Sequence, residues 1–300
     1  MAPTSETALK ALVPDHRPAS VPRRTTLLAR LLGDRAVLVA LLVLAVPVGL
    51  TLLSLVVTLG SVTEMSAARR LAPPGSGLLF GSDALGRDLF ARVAEGGQTS
   101  LAIGVLVGLI AAAGGLVLGL VAGYLRLVDA VLMRVMDGLM AIPGILLAIA
   151  FMSIVGASMV NVVVALGLTS LPNVVRLVRA MVLSLREQPF VEAAIAAGNG
   201  TPRIIFRHLL PQTLGPLAVQ ATFICTSAII AEAYLSFIGV GTPPEIPSWG
   251  NVIADGRTHF RLAPWIVLIP GAFVAATVLA INLIGDALRD ALDPRGASQL

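Results

Sequence analysis

The sequence predicts an all-α, polytopic membrane protein with six crossing helices, and three observations carry that prediction. Of its 300 residues, 56% are hydrophobic and 13% are charged, against about 25% charged in an ordinary soluble domain. Mean hydropathy is +0.91, and the apolar residues gather into uncharged runs that reach or exceed the roughly 20 residues needed to cross a bilayer. The basic residues are distributed unevenly between the loops joining those runs, as expected of a chain with a defined orientation.

Each element follows in order. Residues 1–35 are Pro- and Arg-rich and read as a flexible cytoplasmic tail. The apolar run behind them is too long for a signal-peptide core, so no cleavable leader is expected. The first crossing is 36–63, followed by an outside loop over 64–97. Gly96–Leu125 supplies the second crossing. Gly138–Val175 is uncharged and too long for one crossing; Gly156-Ala157-Ser158 splits it into a third and a fourth. His208 to about Ile238 forms the fifth and Leu262–Gly285 the sixth, with a short tail at 291–300. Placing both termini in the cytoplasm leaves most of the 21 basic residues inside, including Arg176, Arg179, Arg186, Arg203 and Arg207.

The second crossing carries two glycine runs at four-residue steps, Gly104-Gly108 and Gly115-Gly119-Gly123. Small residues so spaced let helix backbones approach closely in lipid, so these are read as packing positions. Asn161 and Asn173 are polar candidates on the fourth crossing, as pore-lining groups or as helix–helix hydrogen bonders. Cys225 is the single cysteine, set in an apolar stretch, and reads as a small buried hydrophobe.

Several function classes lose support. No phosphate-binding loop of the form G-x-x-x-x-G-K-[ST] is present, so ATP hydrolysis is not expected of this chain. His16, His208 and His259 are scattered without metal-ligand spacing, and no nucleophile elbow appears. The net charge of +4 is modest and is no nucleic-acid signal. Ionisable residues in the crossings are few, whereas ion-driven carriers keep a chain of them at mid-membrane. Asp129, Arg134 and Asp137 fall at the cytoplasmic start of the third crossing. Glu232, near the outer end of the fifth crossing, is the best internal candidate and reads first as a buried hydrogen-bond partner or an outside-facing charge.

The most distinctive stretch is Pro189–Pro211, a polar island punctuated by Gly and Pro. It reads as a short helix from Phe190 to Ala197, stopped at Gly198-Asn199-Gly200. A second helix follows, with Thr201 as N-cap and Pro202 at its first position, interrupted by Pro211. Such a helix suits a groove in another protein; an ordinary loop folded over its own helix ends fits the local pattern equally well.

Four blocks carry a family resemblance. Glu192-Ala193-Ala194, Gly198 and Leu210-Pro211 resemble the "EAA" loop of ABC importer permeases, and His208 before Leu209-Leu210-Pro211 is similar to the oligopeptide, dipeptide and nickel branch. Asn199 and Gly200 depart from the usual Ala or Ser, and Gln212 from the branch's frequent Asn. Phe80-Gly81-Ser82-Asp83-Ala84-Leu85-Gly86-Arg87-Asp88 resembles the branch's GTDxLGRD block, with Ser82 in place of Thr. Glu232–Gly241 with Ser248-Trp249-Gly250, and Asn282–Asp290 with Asp293-Pro294-Arg295, resemble two further signatures. Gln98 replaces an Arg common in the branch.

The resemblance implies a type I importer permease fold, with a core over 98–290 and a coupling loop at 188–211 docking on an ATPase subunit through Glu192, Ala193, Ala194, Gly198, His208, Leu210 and Pro211. It implies a paralogous second permease, one or two ATPase subunits that bind the ATP and Mg, an external solute-binding protein, and a bacterial inner-membrane location. No cofactor is expected on this chain. The outside block, with Asp83, Gly86, Arg87 and Asp88, is expected to be structural or to touch the binding protein. Physically, Asp83 or Asp88 is read as forming a surface pair with Arg87 or Arg92, and Trp249 as an interfacial anchor. A secondary carrier or channel, a membrane enzyme and an exporter permease are the competing readings.

Overall fold

The computed structural model describes residues 33–56 and 62–292. The elements are α1 (Arg35–Val56), α2 (Leu89–Tyr124), α3 (Arg126–Met140), α4 (Gly144–Val155), α5 (Met159–Arg186), α6 (Pro189–Ala196), α7 (Thr201–Ile204), α8 (Leu210–Ile238), α9 (Trp249–Gly256) and α10 (Trp265–Leu292). The sole strand-like feature among the described residues is an antiparallel bridge between Ser82 and Asp88. The tail with Lys10 and His16, and the Asp293-Pro294-Arg295 end of the last signature, lie outside the described residues.

Five helical runs are long and apolar enough to cross a membrane: α1, α2, α5, the run from α7 through α8, and α10. The predicted third crossing is different. α4 has only 12 residues, about 18 Å at 1.5 Å per residue, against a hydrocarbon core of about 30 Å. It is joined to α3 across an 86° bend. The cause is Pro143, which caps α4 and disfavours helix at Ile142 before it. A sixth crossing exists only if this bent pair counts as one. α3 itself lies where a loop was expected. Leu127, Val131 and Val135 recur at four-residue steps between Asp129, Arg134 and Asp137, an amphipathic pattern that a search for uncharged runs passes over.

α2 is the central helix. A Cβ at Gly115, Gly119 or Gly123 would lie 2.4–2.6 Å from the Cβ of Val174, Val178 or Val182 of α5, respectively. The three contacts advance together, so α2 and α5 run parallel. On another side, Gly104 meets Ile229 and Gly108 meets Ala221 and Cys225 of α8. These numbers run in opposite directions, so α8 is antiparallel to α2. α10 returns along α8, with Thr222 against Gly285 and Leu292 against Gly215. α1 packs on α2 and α10.

This topology gives the molecule two distinct ends. One holds Asp83, the start of α2, the end of α8, and α9. The other holds the ends of α2 and α5 with α6 and α7. The larger core joins α2, α5 and α8 through Ile103, Val107, Val162, Val178, Ile224 and Leu235. A smaller core at the Asp83 end is built around Leu89, Val93, Trp249, Val252 and Ile266. Cys225 is only partly buried.

Candidate functional site

At the α6 end, local sequence determines the geometry. α6 starts at Pro189, whose missing N–H costs nothing at a helix start. It ends in a Schellman motif: the Asn199 N–H donates to the Ala194 carbonyl and the Gly198 N–H to the Ile195 carbonyl. Gly198 takes φ +78°, a conformation that disfavours a Cβ. The Asn199 side chain donates a further hydrogen bond to Ala194 O at 2.9 Å. The departure from Ala or Ser at this position therefore reinforces the helix end.

Beyond it, the N-cap of α7 is Gly200, one residue before the expected Thr201. Pro211 does not interrupt a helix; it stands in the first turn of α8. The Pro211 nitrogen carries no hydrogen to give the Arg207 carbonyl. The chain answers with a π-helical turn over Ile205–Leu209, in which the Leu210 N–H donates to the Ile205 carbonyl.

Val191 and Ala194 face inward, and Ile204 and Leu209 fill the interior beside them. Glu192, Ala193 and Ile195 face outward, with Phe190 41% and Phe206 68% exposed. Phe190 also lies against His208, ring centroids 6.3 Å apart. α6 is thus pinned by one face and presents a small, mixed apolar and acidic face beyond the ends of α2 and α5. Behind it, Arg186 donates to the carbonyls of Gly123 and Tyr124 and stacks on the Tyr124 ring. Arg179 and Arg176 of α5 pair with Asp129 and Asp137 of α3.

At the opposite end, Asp83 is fully buried and bonds Arg87 at 2.6 Å and Arg92 at 2.8 Å. Both arginines also reach Asp255 of α9, at 3.0 and 2.8 Å. Burial would raise the Asp83 pKa. The Arg87 backbone N–H and the two guanidiniums outweigh that, and the carboxyl is held below the usual carboxylate range. Asp88 pairs with neither arginine; it caps α2 by accepting from the Phe90 N–H. Gly86 takes φ +76°, and a Cβ there would strike the Ser66 carbonyl oxygen.

Glu232 is also fully buried. Its carboxylate accepts from Ser248 at 2.7 Å, Ser236 at 2.8 Å, Ser100 at 3.3 Å and Thr242 at 3.4 Å. Ser248 and Ser100 in turn accept the backbone N–H groups of Asn251 and Trp249. The cluster ties α2, α8 and α9 together. Among the described residues, no group of three or more His, Cys, Asp or Glu is placed to hold a metal ion.

The family described as "Binding-protein-dependent transport system inner membrane component" matches residues 115–297, which include α6, Glu232 and α9. The chain belongs to that family. A probable peptide ABC transporter permease of Sinorhizobium fredii is 48% identical over 236 residues, covering 79% of this chain and 81% of the relative. The dipeptide transport system permease protein DppC of Alkalihalophilus pseudofirmus is 40% identical over 263 residues, covering 87% and 86%. The glutathione transport system permease protein GsiD of Escherichia coli is 45% identical over 217 residues, covering 72% of each. The chain is therefore a multi-pass inner-membrane permease of an ABC transport system and not itself an enzyme; ATP hydrolysis belongs to separate partner subunits.

The permease brings its site residues together in two groups. Glu192, Ala193, Ala194, Gly198 and His208 share one end with Leu210 and Pro211. Asp83, Gly86, Arg87 and Asp88 share the other with Trp249. Two readings of the second group are corrected. Asp83 with Arg87 and Arg92 is a buried network, because Asp255 and α9 close over it. Trp249 is no interfacial anchor: it is fully buried, donates Nε1–H to the Val93 carbonyl at 2.9 Å, and covers Gly97 with its ring. Asp255 and the four hydroxyls on Glu232 were missed. The one available signal was Ser248, an N-cap residue before Trp249 that marks the start of α9.

Proposed function

We propose that this permease pairs with a paralogous second permease and moves peptides inward by alternating access. In this reading α6 is the coupling element. It seats in a groove of an ATPase subunit that binds ATP and Mg, and the ATPase dimer pulls it on closing. The Asp83 end faces outward and receives cargo from a solute-binding protein. Peptide cargo is supported by relatives named for peptides, dipeptides and glutathione.

The observation that carries the reading is α6 itself. It is held from behind by Val191 and Ala194, while Glu192, Ala193 and Ile195 on its other face are exposed. An ordinary loop folded over its own helix ends would turn its apolar residues inward. A transmitted movement needs an interaction that differs between two states, and a rigid helix with an exposed face supplies one.

The test is transport by the full assembly carrying Glu192→Lys or Gly198→Asp. Glu192 is exposed, so its reversal alters the docking face and spares the fold. At Gly198 no atom lies within 4 Å of an added Cβ. The cost there is the left-handed backbone alone, about 1–2 kcal/mol. Both variants insert normally, lose peptide uptake, and release or fail to stimulate the ATPase subunits. Normal uptake by both would overturn the coupling role.

A further inference from the structure

α3 lies across the bundle and not along it. Asp129 pairs with Arg179 and Asp137 with Arg176. Eight residues of α3, about 12 Å, thus answer to three of α5, about 4.5 Å, in reverse order. The 86° bend into α4 points the same way. α3 also starts directly beyond the end of α2 at Tyr124, so it lies at the α6 end of the molecule. A helix in that place and direction runs near the plane of the membrane, at one of its two surfaces.

The surface of α3 is divided three ways, since successive side chains turn by about 100°. Met133 and Met136 face the protein, and Met136 is buried. Leu127, Val131 and Val135 form one apolar stripe, each more than half exposed. Arg126 and Arg134, both exposed, stand on the remaining side. The two acids of the helix, Asp129 and Asp137, are taken by α5. Arg126 and Arg134 make no ion pair among the described residues, so their side of the helix carries uncompensated positive charge.

We propose that α3 is an interfacial helix that binds anionic lipid in the leaflet at the α6 end. Leu127, Val131 and Val135 enter the acyl boundary, and Arg126 and Arg134 pair with headgroup phosphates. A bilayer presents acyl chains and phosphates as adjacent layers, which is the division found on α3. A paired permease seated here would have to offer an apolar and an acidic face side by side. The contact has a consequence for coupling. α3 grips α5 through both acid–arginine pairs, and α5 runs on through Arg186 to α6 at Pro189. Lipid that fixes α3 therefore braces the base of α6. The bracing rests on the reading of α6 as the coupling element; the lipid site does not.

The experiment uses the complete transporter in liposomes, with a fluorophore on Val131→Cys in a Cys225→Ser background and no other cysteine in the assembly. A nitroxide is carried on the acyl chain of phosphatidylglycerol in one preparation and of phosphatidylcholine in another, at equal mole fraction. Labelled phosphatidylglycerol is expected to quench at least about 5-fold more strongly, the preference that one arginine confers at a charged surface. Arg126→Gln with Arg134→Gln is expected to abolish the preference and keep the quenching. Both side chains are exposed, so the fold is spared; Arg134→Gln alone provides a milder second variant. A fluorophore quenched by neither lipid, as a covering protein would produce, overturns the site, and so does equal quenching by the two lipids in the native background. Uptake of labelled Ala-Ala, with the binding protein present, is then compared in liposomes with and without phosphatidylglycerol. Native uptake is expected to be at least about 5-fold faster with it, the lower end for coupled sites, and the double variant to lose that dependence. Native uptake indifferent to phosphatidylglycerol overturns the bracing role. Absence of uptake in every lipid counts against the proposed function instead, since the quenching needs no transport.

Discussion

Asp83 is a carboxylate buried against two arginines, and its removal is costly for that reason. Asp83→Asn leaves Arg87 and Arg92 with only the partly exposed Asp255 between them. Removing one partner of a buried pair typically costs about 3–5 kcal/mol. Asp255 offsets part of that, so the lower end is expected, read as a reduced unfolding temperature in detergent. The pH dependence has a definite direction. Asp83 has a folded-state pKa below its unfolded value. Its stabilisation is therefore complete above about pH 4 and is lost as pH falls through the folded value. The gap in unfolding temperature between the native chain and Asp83→Asn stays constant from about pH 7 to 5 and narrows only below about 4. A gap that closes near neutrality would exclude Asp83 as its source. Trp249 is a second residue whose weight lies in burial. Trp249→Ala is expected to cost about 3–5 kcal/mol, as for other buried Trp truncations, and Trp249→Phe less. Neither burial was legible in the sequence. A Trp beside a polar outside loop has the composition of an interfacial anchor, and Asp-x-x-x-Arg has that of a surface pair. What buries both is α9, held down by contacts from Ser100, Glu232 and Asp255 that are 149, 16 and 163 residues away in sequence from their partners.

At the scale of elements, the long apolar helices were readable because burial in lipid requires continuous uncharged sequence. The Schellman end of α6 was readable because Gly198 is a local requirement. α3 and α4 were not, since an amphipathic helix meeting a short apolar one at Pro143 imitates a loop followed by a full crossing. The π-helical turn was also hidden: Pro211 signals a missing hydrogen bond, but only the register of α8 decides whether the helix stops or absorbs it. The glycine stripe was readable as packing and silent about its partners. Its two halves serve different helices, Gly104 and Gly108 meeting α8, and Gly115, Gly119 and Gly123 meeting α5. This division predicts a compensation. Gly119→Ala sets a methyl 2.6 Å from the Val178 Cβ, and such overpacking costs about 1–3 kcal/mol. Val178→Gly removes both the Val178 Cβ and the nearer methyl, at 2.9 Å, and is expected to restore part of the loss when combined with Gly119→Ala. The control is Ile224→Ala on α8, a buried residue of the same core that is not among the atoms met by a Cβ at Gly119; it should leave the Gly119→Ala defect unchanged. A double-mutant cycle on unfolding temperature reads the coupling. Additive effects for Gly119 and Val178 would mean that α2 and α5 do not meet in this register.

For the whole molecule, the packing and the topology prediction bear on each other. Parallel α2 and α5 with antiparallel α8 put Glu192 and Glu245 at opposite ends, whichever way the chain is inserted. The expected orientation rests on the basic residues, and the fold engages many of them. Arg176, Arg179 and Arg186 are held by Asp137, Asp129 and backbone carbonyls, while Arg87 and Arg92 are held by Asp83 and Asp255. Those pairings form after insertion, and acidic residues contribute little to the bias. The arginines of the α5–α7 region therefore still count toward the expectation that this end is cytoplasmic. Cys225 is the single cysteine, so the orientation can be read directly. In a Cys225→Ser background, cysteines introduced singly as Ile195→Cys and Glu245→Cys occupy exposed positions at the two ends. A membrane-impermeant maleimide is expected to label Glu245→Cys in intact cells and Ile195→Cys only after the inner face is opened. The reverse pattern would place α6 outside, beyond reach of any ATPase, and remove the coupling role. Labelling of both from one side would contradict the helix directions themselves.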